Sequence, residues 1–372
     1  MKVVNRMSVI KNITKDITKD IKNNSSNYFK GFTKNHSSRN LNLSKITILV
    51  PCYNSRATLS ATLKSIQQSE HSNLDVMIVD DGSIDTIEDI VKSFNDNRFR
   101  YFWKENEGLG LTRNFGIDNA KGEYIFFLDS DDLIYSDSLS NLLDFALKNN
   151  LEVVSGVTVR KQFGSNIENE WYRKLYKKKS INSIKNRLHQ FDDMLSTNKL
   201  YKIKLLKDKN IYFETGLYED KLFTSKLYAK VDRIGLIDNR VYIWFIYGNQ
   251  TTISTSKTVS NFKGRMSAIN KLWYYLPELR KAYQMSLYMN HDLLIYLREF
   301  IFYTSEEKEE IYEIAHEFVQ NYSNYVYKRL VPASLNRACL DALCNSDKEK
   351  FIYTAEILSQ IFQDDLERKQ RV

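Results

Sequence analysis

The stretch Glu-Tyr-Ile-Phe-Phe-Leu-Asp-Ser-Asp-Asp at residues 123–132 decides how this chain is read. An apolar run from Tyr124 to Leu128 is followed at once by the carboxylates Asp129, Asp131 and Asp132. A short apolar run bounded by polar residues suits a strand buried on both faces, as in a parallel sheet covered by helices. Such a strand delivers its last side chains into the crevice where open α/β sheets bind ligands. Carboxylates gathered there repel one another and call for a cation. Hard divalent metals take oxygen ligands, and Mg²⁺ keeps waters and bridges substrate phosphates. The same run has a plainer use, because Asp131 or Asp132 can cap a helix starting near Ser136.

Outward from this stretch, strands and helices alternate. Strands are predicted at Ile46–Pro51, Asp75–Asp80, Phe99–Trp103, Glu123–Asp129 and Glu152–Val159. Helices are predicted at Arg56–Ser69, Ile84–Phe94, Leu109–Ala120 and Ser136–Lys148. This alternation implies an α/β fold with a parallel sheet. The polar groups at the strand ends are then Tyr53, Asp80, Asp81 and Asp129. Residues 160–215 are basic and carry no clear period, with cations and aromatics clustered at Trp171–Lys179. Asp220–Lys230 reads as helical and Arg240–Tyr247 as extended. From about Asn261 the chain reads as a tyrosine-rich helical module, with turns at Pro277 and Pro332. The expected organisation is an extension over 1–44, an α/β domain over 45–260 and a mostly helical module over 261–372. In the extension, Ile10, Ile13, Ile17 and Ile21 make one apolar stripe on a helix. That stripe suits a membrane surface or a partner, and equally a frayed terminus.

Composition narrows the classes. The net charge of +8 favours anionic partners without choosing among nucleotides, nucleic acid and anionic lipid. Beyond charge and a basic, aromatic tail, nothing points to nucleic acid. Cys52, Cys339 and Cys344 form neither a disulfide framework nor a zinc site. No run of about eighteen apolar residues is present. The expected location is cytoplasmic, with peripheral contact at the cytoplasmic face of the membrane. A nicotinamide site would need Gly-x-Gly-x-x-Gly after the first strand, where this chain has Pro51-Cys52-Tyr53-Asn54. A P-loop is absent as well.

The strand ends carry Val50-Pro51-Cys52-Tyr53-Asn54, Asp80-Asp81-Gly82-Ser83, and Asn106-Glu107-Gly108 leading to Thr112-Arg113-Asn114-Phe115-Gly116. In this order, with Asp129-Ser130-Asp131-Asp132 and Leu217-Tyr218-Glu219-Asp220, they resemble glycosyltransferase family 2 over residues 45–250. The resemblance implies a GT-A fold: a Rossmann-like nucleotide-sugar-binding domain, here with the helical C-terminal module. It places Pro51, Tyr53, Asn54, Asp80 and Asp81 in the nucleotide- and donor-binding set, with Pro51 and Tyr53 flanking the base and Asp81 bonding it. It sets Arg113 near the nucleotide. Asp129 and Asp131 become the ligands of a divalent cation, Mn²⁺ or Mg²⁺, while Asp129, Ser130 and Asp132 contact the nucleotide donor, with Asp132 orienting the donor sugar. Asp220 becomes the general base, although Glu219 and Asp220 also suit a helix N-terminus as an acidic first turn. Tyr242-Ile243-Trp244 and Thr251-Thr252-Ile253-Ser254 resemble the segment that closes the domain. Many relatives carry an arginine after the aromatic pair, where this chain has Phe245-Ile246-Tyr247.

The resemblance further implies inverting transfer of a sugar from a nucleotide-sugar, by family habit a UDP-sugar. The acceptor is a hydroxyl of a surface glycan, wall polymer or glycoprotein. Self-association through the helical module is a further expectation. The competing expectation is a catalytically silent scaffold, or a nucleotide-sugar-binding subunit of a polymer-synthesis complex.

Overall fold

The computed structural model describes residues 44–183, 188–247, 257–326 and 335–370. The isoleucine stripe, Thr251–Ser254 and Pro332 lie outside them. The described residues fall into two compact units. One holds the residues up to Thr215 and those from Lys230 to 247. The other holds Gly216–Ala229 and the residues from 257 onward.

The first unit is built on a ten-stranded sheet. Its first half runs β1 (Ile46–Cys52), α1 (Leu59–Gln67), β2 (Leu74–Asp81), α2 (Glu88–Ser93), β3 (Phe99–Lys104), α3 (Leu109–Asn119) and β4 (Tyr124–Phe127). Then come β5 (Leu133–Ile134), α4 (Ser138–Asn149), β6 (Val153–Gln162), β7 (Glu168–Trp171), β8 (Ser180–Ser183), β9 (Lys199–Lys202), α5 (Ile203–Asp208) and, after the second unit's α6 (Glu219–Lys230), β10 (Arg233–Ile246). The main path is β3-β2-β1-β4-β9-β6-β10-β5.

Strand alternation explains the two-sided core. Ile46, Ile48, Val50, Leu74, Val76, Ile78, Tyr124, Phe126 and Leu128 share one face, packed with Leu59, Leu63 and Ile66 of α1 and Leu139, Leu142 and Leu143 of α4. The intervening positions face the other way, where α3 lies close. A Cβ on Gly116 of α3 would come within 2.2 Å of Leu49, which is itself fully buried, so only glycine allows this approach. Pro51 is tolerated in a central strand because the β1–β4 pairing has already ended at Leu49–Phe127.

The parallel sheet expected from the alternation is mixed in the structure. β1, β2, β3 and β4 pair parallel, as do β6 and β10. Between these blocks β9 runs antiparallel to both β4 and β6. β9 comes from the basic 160–215 stretch and is four residues long, too short for its period to show in the sequence. β10 also begins seven residues before the expected Arg240, and it takes β5 on its outer edge through Tyr242–Ile134 and Ile243–Leu133.

The second unit is helical from Val259 onward. It contains α6, α7 (Val259–Leu272), α8 (Glu278–Leu287), α9 (Ser305–Val326), α10 (Leu335–Cys344) and α11 (Lys348–Gln370), with short helical turns between α8 and α9. Ile311, Ala315, Phe318, Phe351 and Ala355 are buried on successive helical turns of α9 and α11, as amphipathic helices require. Among the described residues no helix is long and apolar enough to cross a membrane.

Candidate active site at the carboxyl edge of the sheet

Successive side chains of a strand point to opposite faces, so the neighbours Asp80 and Asp81 cannot share a role. Asp80 turns toward Tyr101, whose hydroxyl donates to it at 2.9 Å, and accepts the Ser83 N–H at 2.9 Å. It holds the turn that follows β2. Asp81 turns to the α3 face. It accepts Lys104 Nζ at 2.5 Å and the backbone N–H groups of Glu107 and Gly108 at 3.0 and 2.9 Å. Burial would raise its pKa, but Lys104, the Glu107 N–H and Thr112 outweigh that and hold it below the ordinary carboxylate range. Gly82, at φ 73°, makes the turn, and a Cβ there would meet the Asn106 nitrogen at 2.9 Å. The strand end and the loop before α3 are therefore packed backbone to backbone.

At the end of β1, Pro51 is buried and Tyr53 is 54% exposed. Asn54 adopts φ 50°. Its N–H donates to Ser83 Oγ at 2.9 Å, and its Oδ1 accepts the Ile84 N–H at 3.0 Å. The Asn54 side chain thus ties the β1 loop to the β2 loop, leaving Tyr53 as the exposed ring of this segment.

Arg113 on α3 is 1% exposed. Its guanidinium lies over the Phe213 ring, 5.2 Å from the centroid, and donates to Asp129 Oδ1 at 2.8 Å. Asp129, on the α3 face at the end of β4, is one-third exposed. The structure thus brings Arg113 and Asp129 together as a fixed pair.

The remainder of the acidic run is governed by β10. The Tyr242 hydroxyl donates to Asp132 Oδ2 at 2.7 Å and accepts the Asp129 N–H at 3.2 Å. The Phe245 N–H donates to Asp132 Oδ1 at 2.9 Å, and the Tyr247 hydroxyl donates to the Asp131 carbonyl at 3.1 Å. Asp132, expected to orient the donor sugar, is 3% exposed and turned inward with both carboxylate oxygens engaged. Burial, then the charges of Asp131 and Asp129, push its pKa well up. Ser130 is half-buried and Asp131 is exposed. Desolvation by the surrounding protein, then the Asp129 charge, push the Asp131 carboxyl up to about 6. Exposure weakens the first cause and leaves the second intact.

Among the described residues no group of three or more His, Cys, Asp or Glu side chains forms a metal cage. A pair of hard oxygen donors at a strand end nevertheless fits a cation that completes its shell with diphosphate oxygens and water. Asp129 and Asp131 would hold it. The segment Phe245–Tyr247 supplies the Phe245 N–H and the Tyr247 hydroxyl to the loop. Lys174 and Lys177–Lys179 of the basic cluster are exposed, and Arg173 pairs with Glu170 at 3.0 Å.

Asp220 is the second residue of α6, half-buried, in the second unit. The turn before it is fixed within that unit. Tyr218, at φ 64°, donates to Asn261 Oδ1 at 2.5 Å, with the Arg265 guanidinium 4.5 Å from its ring centroid.

Sequence reasoning missed the structural part played by Tyr242. An aromatic with a polar tip in an apolar strand was its only signal.

A family model described as Glycosyl transferase family 2 matches residues 47–208. Those residues belong to glycosyl transferase family 2. An uncharacterised glycosyltransferase of Rickettsia conorii is 43% identical over 111 residues, 30% of this chain and 18% of that protein. A GalNAc(5)-diNAcBac-PP-undecaprenol beta-1,3-glucosyltransferase of Campylobacter jejuni is 27% identical, over 65% of this chain and 85% of the relative. The crystal structure of S. aureus TarS 1–349 in complex with UDP-GlcNAc superposes with a TM-score of 0.67, covering 85% of this chain and 92% of that one at 22% identity. That likeness shows the GT-A fold. The matched stretch spans 18% of the Rickettsia protein and 32% of a Streptococcus pneumoniae glycosyltransferase, GlyA.

Proposed function

We propose that the chain is an inverting glycosyltransferase that moves a sugar from a UDP-sugar to a hydroxyl of a surface glycan, wall polymer or glycoprotein. The observation that carries this reading is the carboxyl edge of the sheet. There Arg113 fixes Asp129, β10 pins the loop, and Asp131 is left exposed beside Asp129. The family match supports nucleotide-sugar chemistry. The printed names of relatives support a hexosyl or N-acetylhexosaminyl donor: a glucosyltransferase in C. jejuni, and in S. aureus the poly(ribitol-phosphate) beta-N-acetylglucosaminyltransferase TarS.

In this reading Pro51 and Tyr53 flank the base and Asp81 bonds it, with Asn54 and Asp80 holding the two loops in register. The acceptor oxygen forms a bond to the anomeric carbon as the bond from that carbon to the diphosphate breaks. The electron pair leaves on the diphosphate, and the hydroxyl proton passes to the Asp220 carboxylate. A divalent cation held by Asp129 and Asp131 would act as a Lewis acid toward the departing diphosphate. A donor screen by nucleoside-diphosphate release, with and without Mn²⁺, tests the proposal. Release from a UDP-sugar that requires Mn²⁺ is expected. Binding of UDP-sugar without release under any condition would favour a silent scaffold. Peripheral membrane contact and self-association belong to the same proposal. Flotation of the full chain with anionic liposomes at low salt and its sedimentation state test them, and a monomer that does not float would remove both.

A further inference from the structure

The helical unit carries a groove lined by none of the residues assigned above to the transfer reaction. It has a volume of about 440 Å³ and opens between the C-terminal end of α7, the turn after it and the end of α9. Asn270, Lys271, Trp273, Tyr274, Asn321 and Tyr322 line it. The volume falls in the range of small-ligand clefts, well short of a protein–protein interface in extent.

The lining has a definite chemistry. It contains amides, hydroxyls, an indole and one ammonium, with no carboxylate, histidine or thiol among its residues, so it does not suit a metal ion. Among the described residues the lining holds no arginine, the forked donor that recognises phosphate in planar, bidentate fashion. Each asparagine offers two donors and one acceptor group, which matches the donor-plus-acceptor character of sugar hydroxyls.

The aromatic wall is built rather than incidental. Trp273 lies against Tyr322 with ring centroids 4.8 Å apart, and Lys281 lies 4.7 Å from the Trp273 centroid. Lys281 is held in turn by Glu278 at 2.9 Å. Against this ordered wall stands Tyr274, a full aromatic ring 84% exposed to water. Burial, then the neighbouring Tyr274 hydroxyl, push the Tyr322 phenol up to about 12, so near neutral pH it remains an uncharged hydroxyl able to donate.

We propose that this groove binds a neutral glycan segment, with sugar rings on Tyr274 and hydroxyls on the Asn321 amide. It would be a second carbohydrate site on the chain, separate from the donor. The proposal rests on the reading of the chain as a glycosyltransferase, since a transferase acting on a glycan gains by holding acceptor chain away from the reacting end. Avidity of this kind multiplies affinity without new contacts at the reacting end.

The test uses the full chain and three neutral probes, cellotetraose, chitotetraose and maltotetraose, titrated by calorimetry with and without saturating UDP and Mn²⁺. Saturable binding of at least one tetrasaccharide is expected, unchanged by UDP and unchanged in Asp131→Ala. Tyr274→Ala, at an exposed position where folding is not at risk, should weaken it tenfold or more, and Asn321→Ala should weaken it several-fold. Neither variant should alter UDP binding. Absence of binding by all three probes would overturn the proposal. So would binding that Tyr274→Ala leaves intact, or that UDP abolishes. If glycan binds as expected but no UDP-sugar is ever turned over, the groove stands and the transferase reading falls.

Discussion

Asp75 at the amino end of the sheet and the acidic run at its carboxyl end are treated in opposite ways. At the amino end, Asp75 of β2 is 5% exposed and receives Arg100 through both oxygens at 2.7 and 2.9 Å, the Thr47 hydroxyl at 2.8 Å and the Lys121 N–H at 3.0 Å. Burial would raise its pKa, but Arg100, the Lys121 N–H and Thr47 outweigh burial and lower it. At the carboxyl end, burial and then neighbouring carboxylates push Asp132 well up, while Asp131 is pushed up by desolvation, weakened by its exposure, and by the Asp129 charge. The fold favours negative charge at Asp75, as it does at Asp81, and penalises it in the acidic run. Residue type alone does not mark a site. A group of carboxylates whose ionisation the fold opposes does, because a cationic ligand can relieve it.

The largest effect expected from this contrast is at Asp131. Asp131→Ala should abolish transfer, and excess chelator should do the same to the unaltered protein. Full activity in chelator would remove the cation from the mechanism. The pH dependence sharpens the point. Because the folded pKa of Asp131 is raised to about 6, protonation competes with the cation, and Mn²⁺ binding in the presence of UDP should weaken as pH falls through about 6. For the ligand-free protein, the raised pKa contributes stability below the ordinary carboxylate value of about 4, and this is lost as pH rises through about 6. The thermal shift on adding UDP and Mn²⁺ should therefore be larger at pH 7 than at pH 5. Equal shifts at the two values would sink the assignment.

Asp220 comes next. Asp220→Asn keeps the shape and removes the basicity, so turnover should fall about 10²-fold or more while UDP binding stays close to normal. Glu219→Gln should be milder. Wild-type rates in Asp220→Asn together with a dead Glu219→Gln would move the base by one residue.

At the amino end of the sheet the expected phenotype is reversed. Arg100→Ala should cost about 2 to 3 kcal/mol of folding stability, since it leaves a buried carboxylate without its charged partner, and should leave UDP affinity unchanged. Asp75 has a lowered folded pKa, so its contribution is present above the unfolded value of about 3.9 and is lost as pH falls through the lower folded value. Urea denaturation at pH 7 and at acidic pH reads both. A loss of UDP binding in Arg100→Ala that exceeds its loss of stability would erase the distinction between the two ends.

Much of this was open to inspection in the sequence, for a physical reason. β1, β2 and β4 are apolar runs buried on both faces, and such runs announce themselves. The strand-end polar groups follow from them. The facing of Asp80 and Asp81 was also legible, since alternation along β2 sends them to opposite sides. Three things were not. β9 is a four-residue antiparallel strand whose Lys199 is fully buried beside Asp193 at 3.0 Å, an ion pair that no local pattern announces. The inward turn of Asp132 depends on β10, more than a hundred residues later, and adjacent residues beyond a strand end carry no facing information. The division of the chain was not legible either, because α6 lies between two stretches of the first unit in sequence yet groups with the helices after 257.

The smallest predicted effect probes how the carboxyl end is held. The Tyr242 hydroxyl bridges the Asp129 N–H and the Asp132 carboxylate, joining the two ends of the acidic run to β10. Tyr242→Phe removes only that oxygen, and the ring keeps its contact with Phe126 at a centroid distance of 6.4 Å. Two consequences follow. A buried carboxylate oxygen loses its donor, which should cost about 1 to 3 kcal/mol of stability. The loop carrying Asp129 and Asp131 loses one anchor, so the Mn²⁺ concentration for half-maximal activity should rise several-fold with a smaller change in the maximal rate. Asp132→Asn combined with Tyr242→Phe separates the contact from general loosening. If the bridge carries the effect, the double variant should be little worse than the more damaging single one, because both changes break one interaction. Fully additive losses would show that the Tyr242 hydroxyl acts through the Asp129 N–H rather than through Asp132. An unchanged cation requirement in Tyr242→Phe would leave the loop anchored by the Phe245 N–H, the Tyr247 hydroxyl and the β5 pairing alone.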